Sequence, residues 1–296
     1  MLAYINSFLD KYEFPFECKK EVNESFNILQ KEAKIDELTK LINVYQINTQ
    51  PSFKELNTLV EEFANTTSVH IYEIWLIIFI LMSKPLFERY KQLNYSEDMF
   101  TYAMYDIKYK AIECSLVKKM WGNFVPSWEY GFFTFQLYGF NTLQFEPIKA
   151  DKNYQVNGVT IKKGETLLSV HIPRREKHLD ENEVQHDFKL AMEFFKNKVD
   201  HLIFFCHSWL LLPRNKEMLS KDSHLRHFID LFTIIETYEA PNYSEMWRLF
   251  DMEIDENNLD ALPSNTSFRR AYIQLMKNKE KTGGGVGIYI PFPVLK

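Results

Sequence analysis

The chain has 296 residues, of which 46% are apolar, 16% aromatic and 25% charged, and its formal net charge is −5. That composition excludes a disordered polymer and supplies enough apolar area for one or two packed domains. The acidic balance and the lack of a long basic run exclude a nucleic-acid partner, which needs a stripe of cations to displace counterions.

The first half reads as helical. Segments 22–33 and 35–45 carry apolar residues at mixed three- and four-residue spacings. Pro51 interrupts, and Ser52 caps a helix expected over 53–65. Thr67 or Ser68 is expected to cap a further helix over 69–82, and Pro85 to end or kink it. That helix holds the longest apolar run, 74–82, which is far short of the roughly 20 residues a membrane span requires. Ser96, Glu97 and Asp98 suit the N-terminus of a helix reaching about residue 119. Met99, Tyr102, Ala103, Ile107, Tyr109 and Ile112 give that helix a broad apolar face.

The pattern changes after Trp121. Gly122, Pro126 and Gly131 punctuate the chain, and the aromatic-rich stretch 132–140 reads as a strand. Residues 143–148 alternate apolar and polar, so a hairpin turning at 139–142 is expected. Asn157-Gly158 between two short alternating segments is a strong two-residue hairpin signal. Residues 167–173 read as a buried strand, 181–198 as a helix, and 201–212 as a second strand stopped by Pro213. Helices are expected over 225–238, 244–250 and 267–277. A flexible glycine loop is expected over 283–287, free to act as a lid, and a closing strand over 288–290. The strand–helix–strand unit from 167 to 212 places its two strands parallel through a right-handed crossover. The fold class is therefore α+β, with a helical domain over 1–147 followed by a mixed α/β sheet domain over 148–296. The last strands of the first domain are expected to join the following sheet.

Cys18, Cys114 and Cys206 are widely separated, which indicates neither a disulfide framework nor a Cys-x-x-Cys metal site, and a reducing compartment follows. Met1 to Asp10 lacks a basic start followed by an apolar stretch. A cytoplasmic protein with no membrane partner is the expectation. The eight histidines show no metal-ligand spacing, so no metal is expected.

The segments Ser169-Val170-His171-Ile172-Pro173 and Phe205-Cys206-His207-Ser208-Trp209, separated by an amphipathic helix, resemble a bacterial family of acyltransferase-domain proteins. That family pairs an N-acyltransferase N-terminal domain with a GNAT-like C-terminal domain. Leu143-Gln144-Phe145-Glu146, the region from Trp121 to Trp128, and Ser223-His224-Leu225-Arg226-His227-Phe228 extend the likeness. It covers the last two-thirds of the chain well and the first third loosely. The resemblance implies transfer of an acyl group from an acyl-CoA-like thioester to an amine acceptor, with small molecules as the only partners. Two other readings stand beside it: a non-catalytic module that binds a small metabolite or acyl thioester, and an interaction protein using its helical half. Oligomeric state is not legible.

In such a sheet two parallel strands splay, and the open edge accepts a pantetheine arm. Ile172 and Pro173 end the first of these strands, and Pro173, with no N–H, either marks the parting or merely ends the strand. The turn that would hold the donor phosphates, 174–180, contains no glycine. Arg174, Arg175, Lys177 and His178 stand there instead, opposed by Asp180, Glu181 and Glu183. Acyl transfer needs a base for the amine and an acid for the leaving thiolate. His171, His207 and Glu146 are candidates for this work, each with a plain structural alternative. The resemblance implies a tyrosine as the acid, and Tyr238 and Tyr243, read near the end of a helix, are both in that neighbourhood, with Tyr238 taken as the candidate. Cys206 and His207 are strand neighbours that point to opposite faces, so they form no nucleophile–base pair. Cys206 and Ser208 share one face, and His207 and Trp209 the other. Ser208 is a candidate ligand contact and Trp209 a candidate pocket wall.

Overall fold

The computed structural model describes residues 1–46, 51–175, 179–240 and 242–291. It divides into two compact units, Met1–Tyr138 and Gly139–Lys296.

The first unit is helical: α1 (Leu2–Lys11), α2 (Phe16–Lys31), α3 (Ile35–Gln46), α4 (Phe53–Ala64), α5 (Ile71–Gln92), α6 (Glu97–Lys118) and α7 (Pro126–Phe133). α1 was not anticipated, although Ile5, Phe8 and Leu9 give it a buried stripe at helical spacing. Ser52 caps α4 in a reciprocal box with Glu55, and the Ser96 hydroxyl accepts from the Met99 N–H at 3.2 Å to start α6. α5 is capped by His70 rather than by Thr67 or Ser68: its Nδ1 accepts from Tyr72 N–H at 3.2 Å, and Glu73 accepts from His70 N–H at 3.1 Å. α5 passes through Pro85 without stopping. It lies against α1, α2, α3, α4 and α6, and Leu86 and Tyr90 beyond the proline are buried. Burial on both sides outweighs the roughly 3 kcal/mol an internal proline costs.

Of the strand expected over 132–140, only Tyr138 and Gly139 form one, paired in the expected hairpin with the strand that follows. Pro126 opens α7 at its first position, where a missing N–H costs nothing. Phe133 then packs edge-on to Tyr45, with centroids 5.8 Å apart. Aromatic density there reported burial, not a period of two.

The second unit contains a sheet in the order β1-β2-β5-β6-β8-β7. Its strands are β1 (Tyr138–Gly139), β2 (Gln144–Lys149), β5 (Thr166–His171), β6 (Phe204–Ser208), β7 (Thr233–Ala240) and β8 (Thr282–Tyr289). A separate two-stranded hairpin joins β3 (Tyr154–Val156) to β4 (Val159–Ile161). Its turn residues Asn157 and Gly158 both take positive φ, as the sequence required. The boundary expected between 147 and 148 falls inside β2, which pairs along its whole length with β5. The helices are α8 (Glu181–Phe195), α9 (Pro213–Met218), α10 (His224–Asp230), α11 (Trp247–Phe250) and α12 (Ser267–Lys277).

Three further expectations are corrected in this unit. The strand read over 201–212 ends at Ser208, whose hydroxyl accepts from Leu210 N–H at 3.2 Å and turns the chain into a 3-10 turn at Trp209–Leu211. Pro213 then starts α9 rather than stopping a strand. The helix read over 225–238 ends at Asp230, and Tyr238 lies on β7. Thr233, Ile234, Ile235 and Thr237 are β-branched and favour the pleated surface. The glycine run 283–287 is no loop: it lies in β8, bonded to β6 on one side and β7 on the other. A Cβ on Gly285 would stand 2.5 Å from the Leu211 carbonyl oxygen, and one on Gly287 2.8 Å from Phe232 Cβ. The glycines allow close approach.

The two faces of the sheet have different partners. Phe145, Phe204 and Tyr289 meet Phe188 of α8, with centroids 4.5–6.0 Å apart. On the other face the β3–β4 hairpin lays Tyr154 and Val156 against Leu167, Phe205 and Ile288. No helix of the described residues is long and apolar enough to cross a membrane.

Candidate active site

β5 and β6 run parallel but pair only at Leu168↔Phe204 and Ser169↔Phe205. β5 continues to His171, held on its outer side by β2. β6 continues to Ser208, held on its outer side by β8. Among the described residues the inner edges share no ladder pair past Ser169 and Phe205, so the strands part there. The parting precedes Pro173, which is not its cause. Each lip then carries a histidine two residues beyond the last pair: His171 on β5 and His207 on β6. Because side chains alternate along a strand, both lie on the hairpin face, with Phe205 and Leu167.

The register brings the other two candidates to the same face. Glu146 pairs across from Ser169, and its Oε2 lies 3.3 Å from His171 Nε2. These side chains are 39% and 23% exposed. Tyr238 stands against His207 in an edge-to-face contact with centroids 5.0 Å apart. Burial is the main influence raising the Tyr238 hydroxyl above the usual tyrosine value, with Glu245 adding to it. His207 is exposed, which removes the reading of it as a buried core histidine. Thus Glu146, His171, His207 and Tyr238, drawn from four strands, share one face.

The other candidates separate from this group. Cys206 faces the helix side, is 2% exposed, and burial pushes its thiol up to about 12. Ser208 spends its hydroxyl on the turn at Leu210. Trp209 leaves the strand and stacks on Phe268 at 6.2 Å, so it does not share the His207 face. Ile172 is 37% exposed and follows β5 with Pro173. Arg174 pairs with Asp251, which Arg269 also holds at 2.8 Å. One Arg175 N–H donates to the Arg174 carbonyl at 3.0 Å. Lys177 and His178 lie outside the described residues. Asp180 caps α8, accepting from Asn182 and Glu183 N–H groups at 2.9 and 3.2 Å. That helix start is therefore already served by a carboxylate.

Sequence reasoning missed a cavity of about 540 Å³ on the hairpin face, beside His207 and Tyr238. Ile148, Leu167, Phe205 and Val286 line it from the sheet, Tyr154 from the hairpin, and Glu236 from β7. The alternation of β7, hidden by its reading as a helix, was the available signal for Glu236. No group of three or more metal-ligating side chains occurs among the described residues.

The resemblance is borne out by comparison with known proteins. The profile of the GNAT-like C-terminal domain family matches residues 137–289. None of the curated proteins matches. Among solved structures, an acyltransferase in complex with decanoyl-CoA is 16% identical, with a TM-score of 0.70 over 97% of this chain and 87% of that one. An acyltransferase in complex with decanoyl-CoA and teicoplanin is 15% identical, with a TM-score of 0.71 over 96% of this chain and 86% of that one. At such identities the likeness is one of fold, and it spans both units. The family match covers more than half of the residues, and the chain belongs to the GNAT-like C-terminal domain family.

Proposed function

We propose that this protein is an acyltransferase that moves an acyl group from an acyl-CoA-like thioester to an amine by direct attack. The observation that carries the proposal is the parting of β5 and β6 with a histidine on each lip, both on one face. An open strand edge accepts the amides of an extended pantetheine arm as it would a peptide. The thioester carbonyl then sits at the level of His171 and His207. Acyltransferases bound to decanoyl-CoA share the fold, which supports the donor class.

In this reading His171, oriented by Glu146, takes a proton from the acceptor amine. The amine nitrogen forms a bond to the carbonyl carbon, and the carbon–sulfur bond breaks. Tyr238, whose hydroxyl is raised above the usual tyrosine value by partial desolvation, delivers a proton to the leaving thiolate beside His207. Free thiol and an amide are the products. Cys206 takes no part, because it is buried on the other face as a neutral thiol. Ile172 and Pro173 border the arm. In a turn without glycine, Arg174 is paired with Asp251, and Arg175 beside it is the candidate to meet the donor phosphates.

The test is incubation of the purified chain with acetyl-, octanoyl- and decanoyl-CoA and a panel of amines, with free thiol followed by a chromogenic disulfide. Amine-dependent thiol release is expected, and His171→Ala and His207→Ala should each lower kcat while donor binding persists. No thiol release, together with no thermal stabilisation by any CoA thioester, refutes the proposal. A bound ligand at 100 times its Kd stabilises by about 2.7 kcal/mol, which a melting curve detects.

A further inference from the structure

We infer that the acceptor carries a second positive charge, which Glu236 holds while the reacting amine stands between His171 and His207, so that diamines are preferred to simple amines. The inference rests on the acyltransferase reading of the parted strands, and it names the acceptor class of that site.

Register makes the first argument. Val286 of β8 pairs with His207 of β6 on one side and with Glu236 of β7 on the other. Paired residues point to one face, so the three side chains form a row across the sheet. All three line the cavity under the β3–β4 hairpin. Glu236 is two strand spacings from His207, or about 10 Å. A carboxylate at that distance takes no proton from the reacting nitrogen, and it meets only a remote part of the same molecule.

The second argument is that an alkylammonium already occupies the place. Lys152, from the loop between β2 and β3, sets its Nζ 2.6 Å from Glu236 and 5.6 Å from the centroid of the Tyr154 ring. A carboxylate and an aromatic face are the groups that hold such a cation. The two charged side chains are 50% and 49% exposed. A pair so open to water is weak, and a ligand ammonium can replace the lysine without leaving Glu236 unpaired. Asp151, also on the cavity wall, adds negative charge beside it. Lys149 is turned to Thr166 at 2.5 Å and to Asp200 at 3.9 Å.

The third argument is the ground between the two ends. Val286 is 8% exposed, and Phe205 lines the cavity beside it. The Tyr238 ring lies across Gly284, where a Cβ would stand 2.6 Å from its Cζ. These surfaces favour methylenes over a polar linker. An extended hexamethylenediamine separates its nitrogens by about 9 Å, at about 1.25 Å per bond, which matches the row from His207 to Glu236.

The experiment measures kcat and KM at a saturating CoA thioester for hexamethylenediamine, aminohexanol and aminohexanoate, with wild type, Glu236→Gln and Lys152→Ala. The acceptors share a reacting amine and a spacer, and differ in the charge at the far end. Wild type is expected to show a KM for the diamine about five-fold below that for aminohexanol, the upper end for a half-exposed ion pair, with kcat alike and aminohexanoate poorest. Glu236→Gln should raise the diamine KM to the aminohexanol value. Lys152→Ala removes the competitor and should lower the diamine KM by about two-fold, whereas a lysine that only latches the hairpin predicts the reverse sign. Equal KM for the diamine and aminohexanol in wild type overturns the inference and leaves the acyltransferase reading standing. So does a raised diamine KM in Lys152→Ala. No thiol release from any CoA thioester with any amine removes the acyltransferase reading and the inference with it.

Discussion

Gly284→Ala and Gly285→Ala separate a strand packed at its backbone from a mobile glycine cover, because the two predict opposite signs. A Cβ on Gly285 would lie 2.5 Å from the Leu211 carbonyl oxygen. One on Gly284 would lie 2.7 Å from the Ser208 carbonyl oxygen, with the Tyr238 ring also in its way. Carbonyl oxygens cannot rotate aside as a side chain can, so β8 or the turn after β6 must shift. Such overpacking costs about 1–3 kcal/mol. Against it stands a gain of about 0.4–1 kcal/mol from the stiffer unfolded chain. The net is a loss of about 1–2 kcal/mol. At roughly 2–4 °C per kcal/mol for a domain of this size, Tm falls by about 2–8 °C. In a mobile loop only the gain operates, and Tm would rise. Scanning calorimetry with urea titration measures both variants. Gly284→Ala also displaces Tyr238, so its kcat should fall further than that of Gly285→Ala at equal stability. Unchanged or raised Tm in both variants would refute the packed-strand argument.

Three other outcomes are expected. Tyr238→Phe should lower kcat by about 100-fold or more, the scale of general acid catalysis, with acyl-CoA affinity within two-fold. Partial burial raises the wild-type hydroxyl above the usual tyrosine value, so an alkaline loss of kcat below the usual tyrosine range, abolished by Tyr238→Phe, would contradict its role. Cys18, Cys114 and Cys206 are buried, and burial pushes the Cys114 and Cys206 thiols up to about 12. No cysteine should react with a chromogenic disulfide at pH 8 in the native state, all three should react in denaturant, and Cys206→Ala should retain kcat; one rapid native equivalent would count against this. Asp187 of α8 is fully buried and accepts from Thr142 and Leu143 N–H groups at 2.6 and 2.7 Å, and from Asn141. Asp187→Ala withdraws that acceptor from the turn leading into β2 and should cost about 2–5 kcal/mol by urea denaturation; a loss below 1 kcal/mol would show that water replaces it.

Local chemistry was legible wherever one segment held the whole signal. Ser52 and Ser96 announced two helices, Asn157-Gly158 the hairpin, Asp180 with Glu181 the start of α8, and the runs 167–173 and 201–212 the parallel pair, though not its ends. Each is a cap, a turn or a run whose free energy depends on its own neighbours in sequence. The errors fell where distant partners decide. β7 was read as a helix because its pairing partner lies more than forty residues away on β8. The glycines of β8 signal freedom in sequence and close approach in the sheet. α5 runs through Pro85 because helices on several sides bury it.

The sequence by itself determined the helical first half, the Asn157-Gly158 hairpin, the strand–helix–strand unit, the α+β class and the four residue types suited to acyl transfer. Only the tertiary structure decided that Glu146, His171, His207 and Tyr238 share a face, that Trp209 leaves it, and that a cavity lies beside them. Strand register couples residues far apart in the chain, and a shift of one position reverses every side chain. No local pattern could have set that parity across four strands.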